Sequence, residues 1–375
     1  MIQQKKSFPI GLTIIIILGI IGALLTAYRF IYGLGAISNL SDGRPWGLWK
    51  AFNVYAGITM AAGGFTLAAT VYVFNLKKFH IVIRPAILVA LLGYLIAMLS
   101  LVVEIGLPPY FWRVFFNYNI HSPLFEVIWA ILIYTIVLVL EFSPAIFERL
   151  GWKSPLKAVR AIQIPAVIAG IMISTGHQSS LGSILLDMPG ALHPLWYTPY
   201  LPILFLVSVL MSGPSTVILV MAITSKVFHY KLETDVLSGL GKGIAIILGL
   251  YLVLKVVFLA IAGNLGLIFS AAPQNYLWWG EMIIGGVVPL VMLAMPNIRK
   301  SRVGVITAAT LVVLGVIFNR FIVTLFGLAV RPGYTYFPTW IEIGIAIGLI
   351  AWALLIAWMA FRFLPMVDEH EEAHA

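Results

Sequence analysis

Trp46, Trp49 and Asn53 stand three and four residues apart, the spacing that brings side chains onto one face of an α-helix. Two indoles above a carboxamide make a flat apolar wall with a polar handle. Such a wall suits an aromatic ring whose carbonyls accept hydrogen bonds, as a quinone headgroup does. Tryptophans alone also form the aromatic belts of membrane interfaces. Asn53 falls below such a belt and favours a ligand. Donors and acceptors concentrate again in Ser174-Thr175-Gly176-His177-Gln178-Ser179-Ser180, at the exit of another apolar run. Capping a helix end takes fewer polar groups than stand here. His177 can donate a proton or a hydrogen bond near neutral pH.

Carboxylates recur near the ends of apolar runs. Glu126 and Glu141 are fifteen residues apart on one run, roughly 22 Å along a helix. Tyr134 lies near the Glu141 face, so one helix can carry carboxylates near both ends of a proton route. Glu104 closes another run, and Glu281 and Glu342 open two more. Lys255 and Arg320 fall in the last third of theirs. Ionisable groups at membrane depth normally face a protein interior or a wet cavity. Lys255, Glu281 and Arg320 are therefore polar candidates in the second half of the chain.

The runs that position these residues are long. Of 375 residues 61% are hydrophobic and only 10% charged, and the mean hydropathy is +1.04. Soluble domains carry about 25% charged residues, so lipid must be the solvent for most of this surface. Ten spans are expected near 10–33, 46–74, 83–106, 122–147, 156–176, 198–226, 240–263, 279–296, 303–327 and 339–363. Pro202 and Pro214 are expected to bend the sixth. The first run is too long for a signal peptide and reads as a retained span.

The fold class is thus all-α and polytopic. Two four-helix bundles plus two further helices are expected. The boundaries are residues 1–45 for the first span and its loop, 46–185 for the first bundle, 186–363 for the second bundle and last span, and 364–375 for an acidic tail. Basic residues alternate loop by loop. Lys77, Lys78, Arg84, Arg149, Lys153, Lys226, Lys231, Arg299 and Arg302 fall on one side, Arg44, Lys50, Arg113 and Arg331 on the other. The lysine-rich side is expected to be cytoplasmic, with both termini. The net charge of +9 is explained by these loops, which argues against nucleic acid as a partner.

The chain has no cysteine, which excludes thiolate-held metals and iron–sulfur clusters within it. The histidines are His80, His121, His177, His193, His229, His370 and His374. None is expected in the middle of a span, where a haem held between helices needs its axial imidazoles. No phosphate-binding or dinucleotide fingerprint appears.

Further stretches carry a resemblance. Pro45-Trp46-Gly47-Leu48-Trp49 is followed by Gly63-Gly64, then His121-Ser122-Pro123-Leu124-Phe125-Glu126 and Leu140-Glu141-Phe142-Ser143-Pro144-Ala145. His177-Gln178-Ser179-Ser180-Leu181-Gly182, Pro194-Leu195-Trp196-Tyr197-Thr198-Pro199 and Phe337-Pro338-Thr339-Trp340 complete the set. From the second span onward the sequence resembles the NrfD-like polysulfide-reductase membrane subunits, and within them the ten-span HybB-like hydrogenase subunits. The resemblance implies a haem-free and metal-free membrane subunit of a respiratory complex. It would exchange electrons between menaquinone, or another quinone, and a ferredoxin-like iron–sulfur subunit on the outer face. Further redox partners would be hydrogenase, sulfur- or sulfite-linked or cytochrome c subunits.

The implied quinone pocket lies in spans two to five. Trp46, Trp49, Asn53, Glu104, Glu126, His177, Gln178 and Ser179 are its candidates. Glu126, Tyr134 and Glu141 are candidates for a proton pathway. Many relatives carry a carboxylate where this chain has Asn53. Two other functions compete. An ion transporter calls for paired, broken midplane helices, and none is evident. A pure membrane anchor needs neither the Trp46–Asn53 stripe nor the His177 segment.

Overall fold

The computed structural model describes residues 10–44, 46–187, 192–270, 272–327 and 336–367. Lys5, Lys6, Pro45, Arg331, His370, His374 and the acidic stretch from Asp368 onward lie outside the described residues.

Among the described residues ten helices are long and apolar enough to cross a membrane. They are α1 (Ile10–Tyr32), α2 (Trp49–Val73), α3 (Lys77–Glu104), α4 (Pro123–Leu150), α5 (Lys153–Ile184), α6 (Leu201–Phe228), α7 (Thr234–Ile261), α8 (Pro273–Ala294), α9 (Arg302–Phe326) and α10 (Trp340–Phe363). Every backbone group in a span must be satisfied within it, which leaves the helix as the only open choice for such runs. Pro123, Pro202 and Pro273 occupy first turns, where no amide partner is lost. Pro144, Pro165 and Pro214 are internal.

α2 to α5 pack on one another as one four-helix bundle and α6 to α9 as a second. α1 pairs with α10, which leans mainly on α3 and touches the second bundle through Phe361 against Phe228 of α6. The bundles meet where α2 crosses α6. A Cβ on Gly213 would lie 1.9 Å from the Gly63 carbonyl carbon, so only paired glycines allow this approach. Gly22 of α1 and Gly348 of α10 touch in the same way. Arg29, although within α1, is buried. It donates to the Val103 and Ile105 carbonyls, each at 2.5 Å, capping the end of α3.

Three departures from the expected spans matter for function. α5 does not end at 176 but runs to Ile184, so the His177 segment is helix and not a helix exit. Its serines remain helical by donating to carbonyls one turn back, Ser179 to Thr175 and Ser180 to Gly176. α8 begins at Pro273, which puts Glu281 inside the helix rather than at its start. The first turns of α2, Trp49–Gly57, are π-helical, as are Ile283–Val287 in α8 and Ile322–Phe326 in α9.

Candidate functional site

The start of α2 decides where its aromatic and amide groups point. The helix carries Trp49 and Asn53 but not Trp46, so the three side chains do not share one helix face. Trp46 precedes the helix and packs toward Tyr55, ring centroids 5.8 Å apart. Trp49 turns the other way, among Ile37, Val103 and Ile345, and its Nε1 donates to the Glu342 carbonyl at 3.1 Å. The two indoles do not form one wall. Asn53 points into the bundle, where its Nδ2 donates to Ser100 Oγ at 2.7 Å.

Ser100 and Glu104 are one turn apart on α3. Glu104 is buried beside Lys50, Nζ to Oε1 3.6 Å, at the rim of the bundle. Glu342, fully buried at the start of α10, closes the same rim. It accepts from the Tyr336 hydroxyl at 2.7 Å and from the Thr339 amide at 2.8 Å in a capping box. Burial and the adjacent Glu342 carboxylate push the Tyr336 phenol well up, so it stays protonated and donating.

Deeper in the bundle, α5 presents His177 and Gln178, both with no exposed surface. Gln178 Nε2 reaches the Ile58 carbonyl of α2 at 3.5 Å. Tyr94 of α3 lies 5.7 Å from the His177 ring and 4.5 Å from the ring of Tyr134 on α4. Phe65 of α2 closes the far side, 5.4 Å from Tyr134. Both His177 nitrogens, Gln178 Oε1 and the Tyr94 and Tyr134 hydroxyls are buried without a hydrogen-bond partner. Each such group costs about 1–3 kcal/mol. A cluster of them on three facing helices is chemistry suited to a ligand with carbonyl or hydroxyl groups, or to water.

From Tyr134 the polar trail continues along α4. Glu141, two turns further on the same face, is buried and borders a cavity of about 100 Å³ with Tyr72, Gln163, Arg84 and Arg160. That cavity lies at the basic end of the bundle. Tyr94, Ser100 and Lys50 were not singled out in the sequence. Ser100 and Glu104 share an i, i+4 face that was readable, whereas Tyr94 in an apolar run looks like any core aromatic.

Comparison with known proteins decides the family. Residues 36–332 match the family model "Polysulphide reductase, NrfD". The chain belongs to the NrfD family. A protein of Nitratidesulfovibrio vulgaris is 35% identical over 373 residues, covering 95% of each chain. The "Probable Ni/Fe-hydrogenase 2 b-type cytochrome subunit" of Escherichia coli is 33% identical over 354 residues, covering 93% of this chain and 90% of that one. The "Menaquinone reductase, integral membrane subunit" of Nitratidesulfovibrio vulgaris is 32% identical over 378 residues, with the same coverage.

Two expected site residues of this NrfD-family chain lie elsewhere. Glu126 is exposed on the outside of α4, beside Gly176, because its helix turns Val127 and not Glu126 inward. Ser179 faces away from the cluster and bonds its own helix.

Lys255, Glu281 and Arg320 do come together, in the second bundle. Lys255 and Glu281 form a buried ion pair, and Glu281 also accepts from Asn319 at 2.9 Å and Trp196 at 3.1 Å. Arg320 donates to Asn319, Ser208 and, across the bundle boundary, Thr59 of α2. Its guanidinium also stacks 3.7 Å over Phe205.

The residues fit a haem poorly. Among the described residues His177 is the one buried imidazole, and the group facing it is Tyr94 rather than a second histidine.

Proposed function

We propose that this chain is the quinone-exchanging membrane subunit of a respiratory oxidoreductase complex. The observation that carries the reading is the set of buried polar atoms without a hydrogen-bond partner on α3 to α5: both His177 nitrogens, Gln178 Oε1 and the Tyr94 and Tyr134 hydroxyls, beside Asn53 of α2. The menaquinone reductase named among its relatives supports the same reading.

The headgroup of menaquinone, or of a related quinone, binds between the Asn53–Ser100 pair and His177. Quinol oxidation releases two electrons and two protons; quinone reduction takes them up. His177, buried beside Tyr94, holds or receives a proton at the headgroup oxygen, while Asn53 and Gln178 orient the ring by hydrogen bonds. Glu104 and Lys50 at the rim exchange protons with the aqueous phase. The electrons pass to a ferredoxin-like iron–sulfur subunit docked at the acidic end, because this chain has no cysteine to hold a cluster. We read the acidic end as the outside of the cytoplasmic membrane and the basic end as the cytoplasmic side, from the distribution of Lys and Arg. The subunit works without haem.

The test replaces His177 or Asn53 with Leu in the intact complex. Quinol-linked electron transfer is expected to be lost while the subunits remain assembled. Wild-type turnover in both variants refutes the pocket.

A further inference from the structure

At the basic end, away from the proposed quinone pocket, a cleft of about 430 Å³ opens between the α2–α3 turn and the start of α7. Its walls bring Lys77, Lys78, His80 and Arg84 together against a single acid, Glu233, with Met366 at one edge. His80 Nε2 is buried there without a hydrogen-bond partner. Lys77 and Lys78 are exposed and make no ion pair among the described residues.

The wall has a defined shape. Asn75 adopts φ 46°, the left-handed conformation that Asn tolerates, and reverses the chain. The 3-10 segment Lys77–Val82 follows, and the Phe79 ring rests against Gly239 of α7. Arg84 is held by the Pro365 carbonyl and by Glu148, at 2.8 Å from its Nη2. On the lipid side the rim is apolar: Val73 and Phe74 are 60% and 70% exposed.

We propose that this cleft binds the phosphate headgroup of an anionic phospholipid, whose acyl chains lie along Val73, Phe74 and Leu76. Basic pockets at helix ends recognise such headgroups, and lysine ammoniums neutralise phosphate as compact point charges. The apolar rim distinguishes a lipid from free phosphate, which would leave Val73 and Phe74 unused. The position at the ends of α2 and α3 matches the depth of headgroups rather than of bulk water.

The test uses the full chain in phosphatidylcholine nanodiscs, with lipid retained per chain and thermal midpoint both measured. Phosphatidylglycerol or cardiolipin is expected to raise the midpoint. Lys77→Ala with Lys78→Ala should remove most of that rise and lower retained anionic lipid several-fold. Lys77→Arg with Lys78→Arg should keep both. Because the two lysines are exposed, these variants are expected to fold, with a size-exclusion profile like the parent's. The proposal fails if the alanine variant retains the wild-type lipid complement, if phosphatidylcholine works as well, or if inorganic phosphate reproduces the shift. It also fails if the full chain takes no anionic lipid while a chain ending at Val367 does. In that case the acidic stretch Asp368–Glu372 is the natural counter-charge.

Discussion

Tyr94 and Tyr134 meet with ring centroids 4.5 Å apart and planes at 68°, joining buried His177 to the helix face that carries Glu141. The contact makes polar groups of α3, α4 and α5 neighbours inside the first bundle. Tyr134 and Glu141 remain about 10 Å apart along α4, beyond one hydrogen bond, so water must complete any proton transfer between them.

If protons use this trail, Glu141→Gln and Tyr134→Phe should each lower charge movement per electron in sealed vesicles. Turnover should stay within a few-fold of wild type. The measurement follows quinol-linked electron transfer and membrane potential together. Unchanged values of both would exclude the trail. Glu126→Gln, on the exposed side of α4, should change neither.

The Lys255–Glu281 pair should behave as a buried ion pair. Lys255→Met leaves Glu281 buried without its cation, at a cost of about 3–5 kcal/mol. The double change Lys255→Met with Glu281→Leu should recover most of the loss. Thermal midpoints of the purified variants decide this; equal loss in single and double variants would contradict it.

At the crossing of α2 and α6, Gly213→Leu should prevent the bundles from docking. The added Cβ alone would lie 1.9 Å from the Gly63 carbonyl carbon, which is backbone and cannot rotate away. Size-exclusion chromatography of the expressed chain should show aggregate in place of a monodisperse peak. Leucine at the neighbouring Thr216, half-buried on the same helix, should be tolerated.

The purified chain should show no Soret band and no stoichiometric iron. The physical basis is that His177 is the single buried histidine among the described residues. A Soret band lost in His177→Leu would overturn this expectation and assign His177 as a haem ligand.

Much of the architecture could be read in the sequence because lipid imposes a simple rule. About twenty consecutive apolar residues must be a helix, so all ten spans were visible, and Lys and Arg in alternate loops suggested their orientation. The residue types of the proposed pocket were visible too, since Asn53, His177 and Gln178 interrupt apolar surroundings. Their geometry was not. The expected Trp46–Asn53 stripe assumed one continuous helix, but α2 starts at Trp49 and leaves Trp46 ahead of it, which separates the two indoles. The His177 segment resembled a helix exit because polar residues usually mark one. It stays helical because its serines bond carbonyls one turn back within the helix.

Tertiary structure alone decided which ionisable residues face inward. Glu126 and Glu141 lie on one helix with similar surroundings in sequence, yet only Glu141 is buried against neighbouring helices. Tyr94 gains meaning only from touching His177 and Tyr134. Lys255, Glu281 and Arg320 come from three helices whose relative rotation no local pattern encodes. Hydropathy acts along one chain segment at a time and so determines which segments cross the membrane. The facing of a side chain depends on packing between segments, on contacts such as Gly63 with Gly213 that join residues far apart in the chain.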